Sequence, residues 1–332
     1  MATTAAVGGL RILRTSDLAE IEIAPAEVIE IVERAYLALA GGASANPRKL
    51  TVKPPDGRSV AYAMLGRDGA RELVGIKTSY KHNPAGAPAE QHYYTSLQLY
   101  DDGTGLPVAL LDCGRVGSLR TPAATALLAR ECAPPDSRTA TVIGTGTQGR
   151  QQLPFLMAAL PGLARLMVSG THPDGLVAVR EQLRAAHPDR EVEPVSDLRA
   201  AVEAADIVVA AAGPSTSAAV EGAWLKPGAV CVLLGHGLAP STLHEAAHVV
   251  ATSAAQMAVT GTDMADAGGR LRAVDAELPA VLAGEAAGRP PGTGGHIFAY
   301  NSGLVVTDIA LADRLVELAA ERGVGEVLDL WR

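Results

Sequence analysis

Aromatic side chains are scarce in this chain: Phe, Trp and Tyr make up 3% of 332 residues, with two Phe and two Trp. Hydrophobic residues still reach 48%. The core must therefore be built of Ala, Val and Leu, which suits helices packed closely on a sheet better than an aromatic-anchored binding surface. Only three cysteines occur. Cys113, Cys132 and Cys231 form no CxxC pair and no metal-ligand spacing, so no metal site is expected, and buried reduced thiols of a cytoplasmic protein are the plain reading. A long basic run is also missing, and the formal net charge is −8. Nucleic acid and anionic membrane are thereby excluded as general partners, although a local basic pocket for a small anion is not. The apolar stretch 207–235 is broken by Gly213, Pro214, Glu221, Lys226 and Pro227, as a strand, loop and second strand would be, and not as a membrane span. The N-terminus shows no basic segment followed by an apolar run and a cleavage site, so no signal peptide is expected.

What is present falls into three blocks. In the first, residues 26–40 have helical period behind Pro25. Strand-like runs follow at 59–65 and 73–79. Those at 96–100 and 107–112 flank the turn Asp101-Asp102-Gly103-Thr104-Gly105, a hairpin signal. Residues 121–132 are Ala/Leu-rich and helical. Pro134-Pro135 marks a boundary. Beyond it strands at 139–143, 163–169, 205–211, 229–234 and 248–251 alternate with helical segments at 148–160, 176–186 and 198–204, which predicts a parallel sheet. Residues 268–295 read as loop and short helix. An amphipathic helix at 307–322 is expected to return to the first block.

The loop Gly144-Thr145-Gly146-Thr147-Gln148-Gly149 stands between a β-branched run and a helical segment. In that setting each glycine has a physical task. The first permits a tight turn, the second admits a pyrophosphate to the backbone, and the third lets helix and strand pack closely. The N–H groups at the helix start meet the negative charge. Pro154 is expected to kink the helix. The next strand ends in Ser169-Gly170-Thr171-His172, without the acid that grips the ribose diol of NAD. This leans toward NADP(H), while the absence of an arginine before Arg180 works against it. Thr171 and His172 fit either a cofactor contact or a solvated turn.

The chain resembles the ornithine cyclodeaminase/μ-crystallin family along nearly its whole length. The residues that carry this are Gly75-Ile76-Lys77, the segment Asp101 to Pro107, Leu119-Arg120-Thr121 with Ala123-Ala124, the glycine loop with Gln152, and Asn301-Ser302-Gly303 through Asp308. Gln152-Leu-Pro-Phe-Leu with Leu160-Pro-Gly-Leu163 is most similar to the branch that oxidatively processes N-linked amino-acid conjugates in siderophore precursor synthesis. The resemblance implies an α/β protein: a Rossmann-type doubly wound parallel sheet domain at 131–299, plus a discontinuous α+β substrate and dimerisation domain at 1–130 and 300–332. It further implies a homodimer, NAD(P)(H) as cofactor, and a small amino or imino acid as substrate.

Carried over residue by residue, Arg48 and Arg120 match carboxylate-binding arginines, whose planar guanidinium can grip a carboxylate bidentately. Lys77 matches the motif lysine, able to neutralise charge, or to move a proton if burial lowers its pKa. His92 lies on the substrate side in the resemblance, or else only packs there. Asp308 falls near the active site and cofactor, or is merely a helix cap. Gly235, His236 and Gly237 follow a strand. Cyclodeaminases carry an aspartate where Gly237 stands, so ring closure loses its base here, and His236 could take over proton transfer. Three functions compete. The first is an NAD(P)H-dependent reductase or dehydrogenase of a small α-imino or α-amino acid. The others are a cyclodeaminase recycling NAD+ and a dinucleotide-binding protein without turnover.

Overall fold

The computed structural model describes residues 9–55, 59–82 and 92–330. They divide into two compact units. The first holds Arg34–Arg120 with the segments before Pro25 and after Gly303, and the second holds Pro25–Glu33 and Thr121–Gly303.

The first unit is built on a mainly antiparallel sheet. Its strands are β1 (Leu10–Leu13), β2 (Leu50–Val52), β3 (Ser59–Asp68), β4 (Leu73–His82), β5 (His92–Asp101) and β6 (Pro107–Asp112), with the C-terminal strand Glu326–Leu328 on the edge beside β1. Between Leu73 and Tyr80 burial in β4 alternates nearly residue by residue, as in an antiparallel sheet covered on one face. The covering element is the helix Val305–Glu321. It approaches closely because Gly75 has no side chain, which would strike Ile309. The Val306 N–H donates to Asn46 Oδ1 at 3.2 Å and so ties down the helix start. The β5–β6 hairpin forms at the expected turn, where Asp101 Oδ1 accepts from the Thr104 N–H at 2.7 Å and its hydroxyl at 2.6 Å.

The second unit is a fully parallel sheet of eight strands. In chain order these are β7 (Thr139–Ile143), β8 (Arg165–Ser169), β9 (Glu193–Pro194), β10 (Ile207–Ala210), β11 (Val230–Leu233), β12 (His248–Ala251), β13 (Ala276–Glu277) and β14 (Ile297–Tyr300). Their spatial order is β13-β12-β14-β11-β10-β7-β8-β9. The strands β10, β11 and β14 are buried along their whole length, as sheets covered on both faces require. The order reverses at β7, so the sheet has its topological switch point there.

Several elements depart from the expectations. The run Ile297-Phe-Ala-Tyr300, unassigned in sequence, is a central strand between β11 and β12. Four apolar residues after a Gly/Pro-rich stretch carry no period that separates strand from helix. The helix expected at 121–132 begins at Gly114, because packing overrides the weak helical propensity of Gly114, Gly117 and Pro122. It contributes residues to both units, and the first unit's share ends at Arg120. The helix after the glycine loop runs Gly149–Ala159 and continues past Pro154.

Asn301, just beyond β14, donates from Nδ2 to the Thr121 carbonyl at 2.9 Å and to Thr125 Oγ1 at 3.0 Å, and is buried. Asn301→Ala removes both bonds and leaves the buried Thr125 hydroxyl oxygen without a donor, while the Thr121 carbonyl keeps the Thr125 hydroxyl at 3.2 Å. The substitution should lower stability by about 2 kcal/mol, read from the urea midpoint at unchanged slope.

Candidate active site

The alternation of β4 turns Lys77 to the covered face of the first sheet, where it is 5% exposed. Arg120 comes from the helix Gly114–Cys132, and Asp308 from the first turn of the helix Val305–Glu321. The three meet on one oxygen. Lys77 Nζ and Arg120 Nε each donate to Asp308 Oδ1 at 2.9 Å. Burial disfavours every one of these charges, yet the mutual attraction outweighs it. Despite burial, the carboxylate is held below its ordinary value by Arg120 and Lys77. Lys77, despite burial, is held above its ordinary value by Asp308. The condition set for Lys77 to move a proton, a pKa lowered by burial, is therefore not met: it stays an ammonium and donates to Asp308. A third cation stands close by. Lys49 lies over the Tyr62 ring at 5.6 Å. Burial, together with the positive charges of Arg120 and Lys77, pulls its ammonium down to about 8. Three cations thus share one carboxylate, a surplus of positive charge suited to an organic anion. Burial keeps the Tyr36 phenol and the Cys113 thiol beside them neutral.

In the second unit, the glycine loop joins β7 to the helix Gly149–Ala159. Gly144 has φ +108°, and a side chain there would collide with the Ala211 backbone; one at Gly149 would collide with the Gly144 carbonyl. Gly146 has open space where its side chain would be. Thr145 is buried, Thr147 exposed and Gln148 half-buried. The loop thus presents backbone at the switch point, as a pyrophosphate cradle needs. At the tip of β8 the Ser169 carbonyl accepts from the Gly144 N–H at 2.8 Å. Thr171 and His172 are exposed there. Beyond β11, Gly235 packs against the Ala212 carbonyl, and Gly237 has φ +124°, a backbone that side chains rarely adopt. His236 Nδ1 lies 3.9 Å from Asp263 Oδ2.

The profile of the ornithine cyclodeaminase/mu-crystallin family matches residues 11–323. The chain belongs to this family. The nodulation efficiency protein NfeD of Rhizobium meliloti is 26% identical over 97% of this chain and 99% of its own length. The Delta(1)-pyrroline-2-carboxylate reductase of Paracoccus denitrificans is 31% identical over 57% of this chain and 58% of its own. Among solved structures, the Delta(1)-pyrroline-2-carboxylate reductase of Thermococcus litoralis, in complex with NADH and L-proline, superposes with a TM-score of 0.79 at 25% identity, covering 96% of this chain and 99% of that one. The second unit has the Rossmann-type fold of this family.

Not every expected residue reaches the cation cluster of this family member. Lys77 and Arg120 do. Arg48 is exposed, and its neighbour Lys49 takes the inward place. The strand period was the missed signal. Thr51 pairs with Tyr62, and Tyr62 with the buried Ser79; counting back by two from Thr51 gives Lys49, not Arg48. Asp308, expected at the cofactor, is bound to the two cations in the first unit. His92 opens β5, but its side chain lies outside the described residues.

Asp308→Asn would leave two buried cations without their anion and should destabilise the fold by about 3–5 kcal/mol. The pH dependence has a definite sign. Because folding depresses the Asp308 pKa, its stabilisation is present above the unfolded value of about 3.9 and is lost as pH falls through the folded value. Acid unfolding curves of the wild type should show this limb, and those of Asp308→Asn should lack it.

Proposed function

We propose that this chain, by family and relatives an NAD(P)-dependent oxidoreductase of C=N or CH–NH bonds, interconverts a small α-imino acid and its α-amino acid. The observation that carries this is the set of buried Lys77 and half-buried Lys49 and Arg120 around the single buried carboxylate of Asp308. Arg120 and Lys49 bind the substrate carboxylate, which supplies the missing negative charge. Asp308 accepts from both Lys77 and Arg120 and so fixes their approach to it. Lys77, kept protonated, donates toward the imine nitrogen and makes the α-carbon a better hydride acceptor. The nicotinamide, when bound, supplies or takes up the hydride. Gly144, Gly146 and Gly149 hold the pyrophosphate. Gly237, which offers no carboxylate, favours imine reduction over ring-closing deamination.

The finer points rest on single features. The β8 tip carries Thr171 and His172 without an acid, which supports NADPH over NADH. The uncovered face of the first sheet exposes Leu65, Ile76, Tyr80 and Tyr94 by 40–68% beside a groove of about 530 Å³, an apolar area suited to a second copy of the chain. The three cysteines are buried and unbridged, as in a cytoplasmic protein.

The test is loss of nicotinamide absorbance with NADPH or NADH and pyrroline-2-carboxylate or piperideine-2-carboxylate. Turnover of neither ketimine, with no amino acid oxidised in reverse, would sink the proposal. The two neighbouring cations separate cleanly. Lys49→Gln should raise KM about 100-fold by removing a charge-assisted contact, whereas Arg48→Gln should stay within about twofold.

A further inference from the structure

The strand register identifies what surrounds Lys77. On the covered face of the first sheet, Met64 of β3 lies directly across from it, and Leu97 of β5 on its other side. One step along, Tyr62, Ser79 and Thr95 lie side by side, and beyond them Val60, Lys81 and Tyr93. Directly paired side chains on one face stand about 5 Å apart, so these residues border any acid held by Lys77 and Arg120. Among the described residues, this end of the face carries no carboxylate except Asp308, and both of that residue's cationic neighbours already donate to it. Asp112 pairs with Ser96 and belongs to the opposite face. Asp68 and Asp313, nearer the other end of the strands, are held by Arg71. Lysines are the charged groups that remain: Lys49 and Lys81.

We infer that the substrate of this site carries an uncharged or acidic side chain, and that Met64, opposite Lys77, is the residue that excludes a second ammonium or a guanidinium. This rests on the function proposed above and narrows it. A basic side chain would enter a region of surplus positive charge and find no anion, and like charges brought together away from water cost several kcal/mol. A neutral side chain meets the thioether of Met64 and the ring of Tyr62. An acidic one meets Lys49 or Lys81. Selectivity therefore comes from a missing partner and a repulsive field, more than from a dedicated contact.

The experiment uses the full chain loaded with oxidised cofactor, with L-proline, L-aspartate, L-ornithine and L-arginine as ligands. The wild type, Met64→Glu and Met64→Gln are compared. Turnover is read from nicotinamide absorbance, and binding from ligand-induced shifts in melting temperature, which need no turnover. In the wild type, both basic acids should fall about 100-fold below the better of the other two. Met64→Glu should shrink that gap at least about tenfold by raising the basic acids, and Met64→Gln, which changes shape and polarity without charge, should not. A wild type that prefers ornithine or arginine overturns the inference. So does a gap unchanged in a Met64→Glu protein that still melts cooperatively and binds NADH. Ordered melting shifts without turnover of any ligand would refute the redox function and leave this inference standing; no shift with any of the four would refute both.

Discussion

One oxygen atom organises the first unit. Asp308 Oδ1 accepts from Lys77 and Arg120, residues 231 and 188 positions away in the chain. A strand, a helix and a second helix must all be in place before that contact exists. Once formed, it resolves a conflict. Two cations side by side in a largely buried place would repel each other, and Lys77 would tend to lose its proton; the shared anion keeps both charged. Because one carboxylate serves more than one cation, the compensation is incomplete. Lys49, pulled down to about 8 by burial first and by the positive charges of Arg120 and Lys77 after it, senses the remaining positive field. Under the function proposed above, a substrate carboxylate relieves it.

The two units meet different physical demands, and the chain is written accordingly. In the second unit, strands covered on both faces are short apolar runs, and the glycine loop follows the first of them. In the first unit, strands alternate, and the covered face carries both packing residues and the charged cluster. The uncovered face is apolar in its own right, with Leu65, Ile76, Tyr80 and Tyr94 exposed.

Much of this was legible in the chain itself. The β5–β6 hairpin followed from its Asp-Asp-Gly-Thr-Gly turn, and β7 with its loop and helix from β-branched residues running into glycines. Other features were not. The central strand β14 is too short to show a period. The strand β1 and the edge strand Glu326–Leu328 beside it are four and three residues long and carry no local signal beyond their length. Family motifs led to Lys77 and Arg120, but the same resemblance favoured Arg48 over Lys49, since two adjacent cations look equivalent until a strand assigns them to opposite faces.

By itself, the sequence determined that a glycine-rich loop exists, that it stands on a parallel sheet, and that lysine and arginine motifs accompany it. Those facts follow from local chemistry: glycines where backbone must turn or approach, and apolar runs where strands are buried. Only the tertiary structure decided which cations share a field, that Lys77 stays protonated despite its burial, and that Met64, not an acid, faces it across the sheet. Such properties depend on distances between segments far apart in the chain, and the charge state of a buried group is set by its neighbours in space, not by its neighbours in sequence.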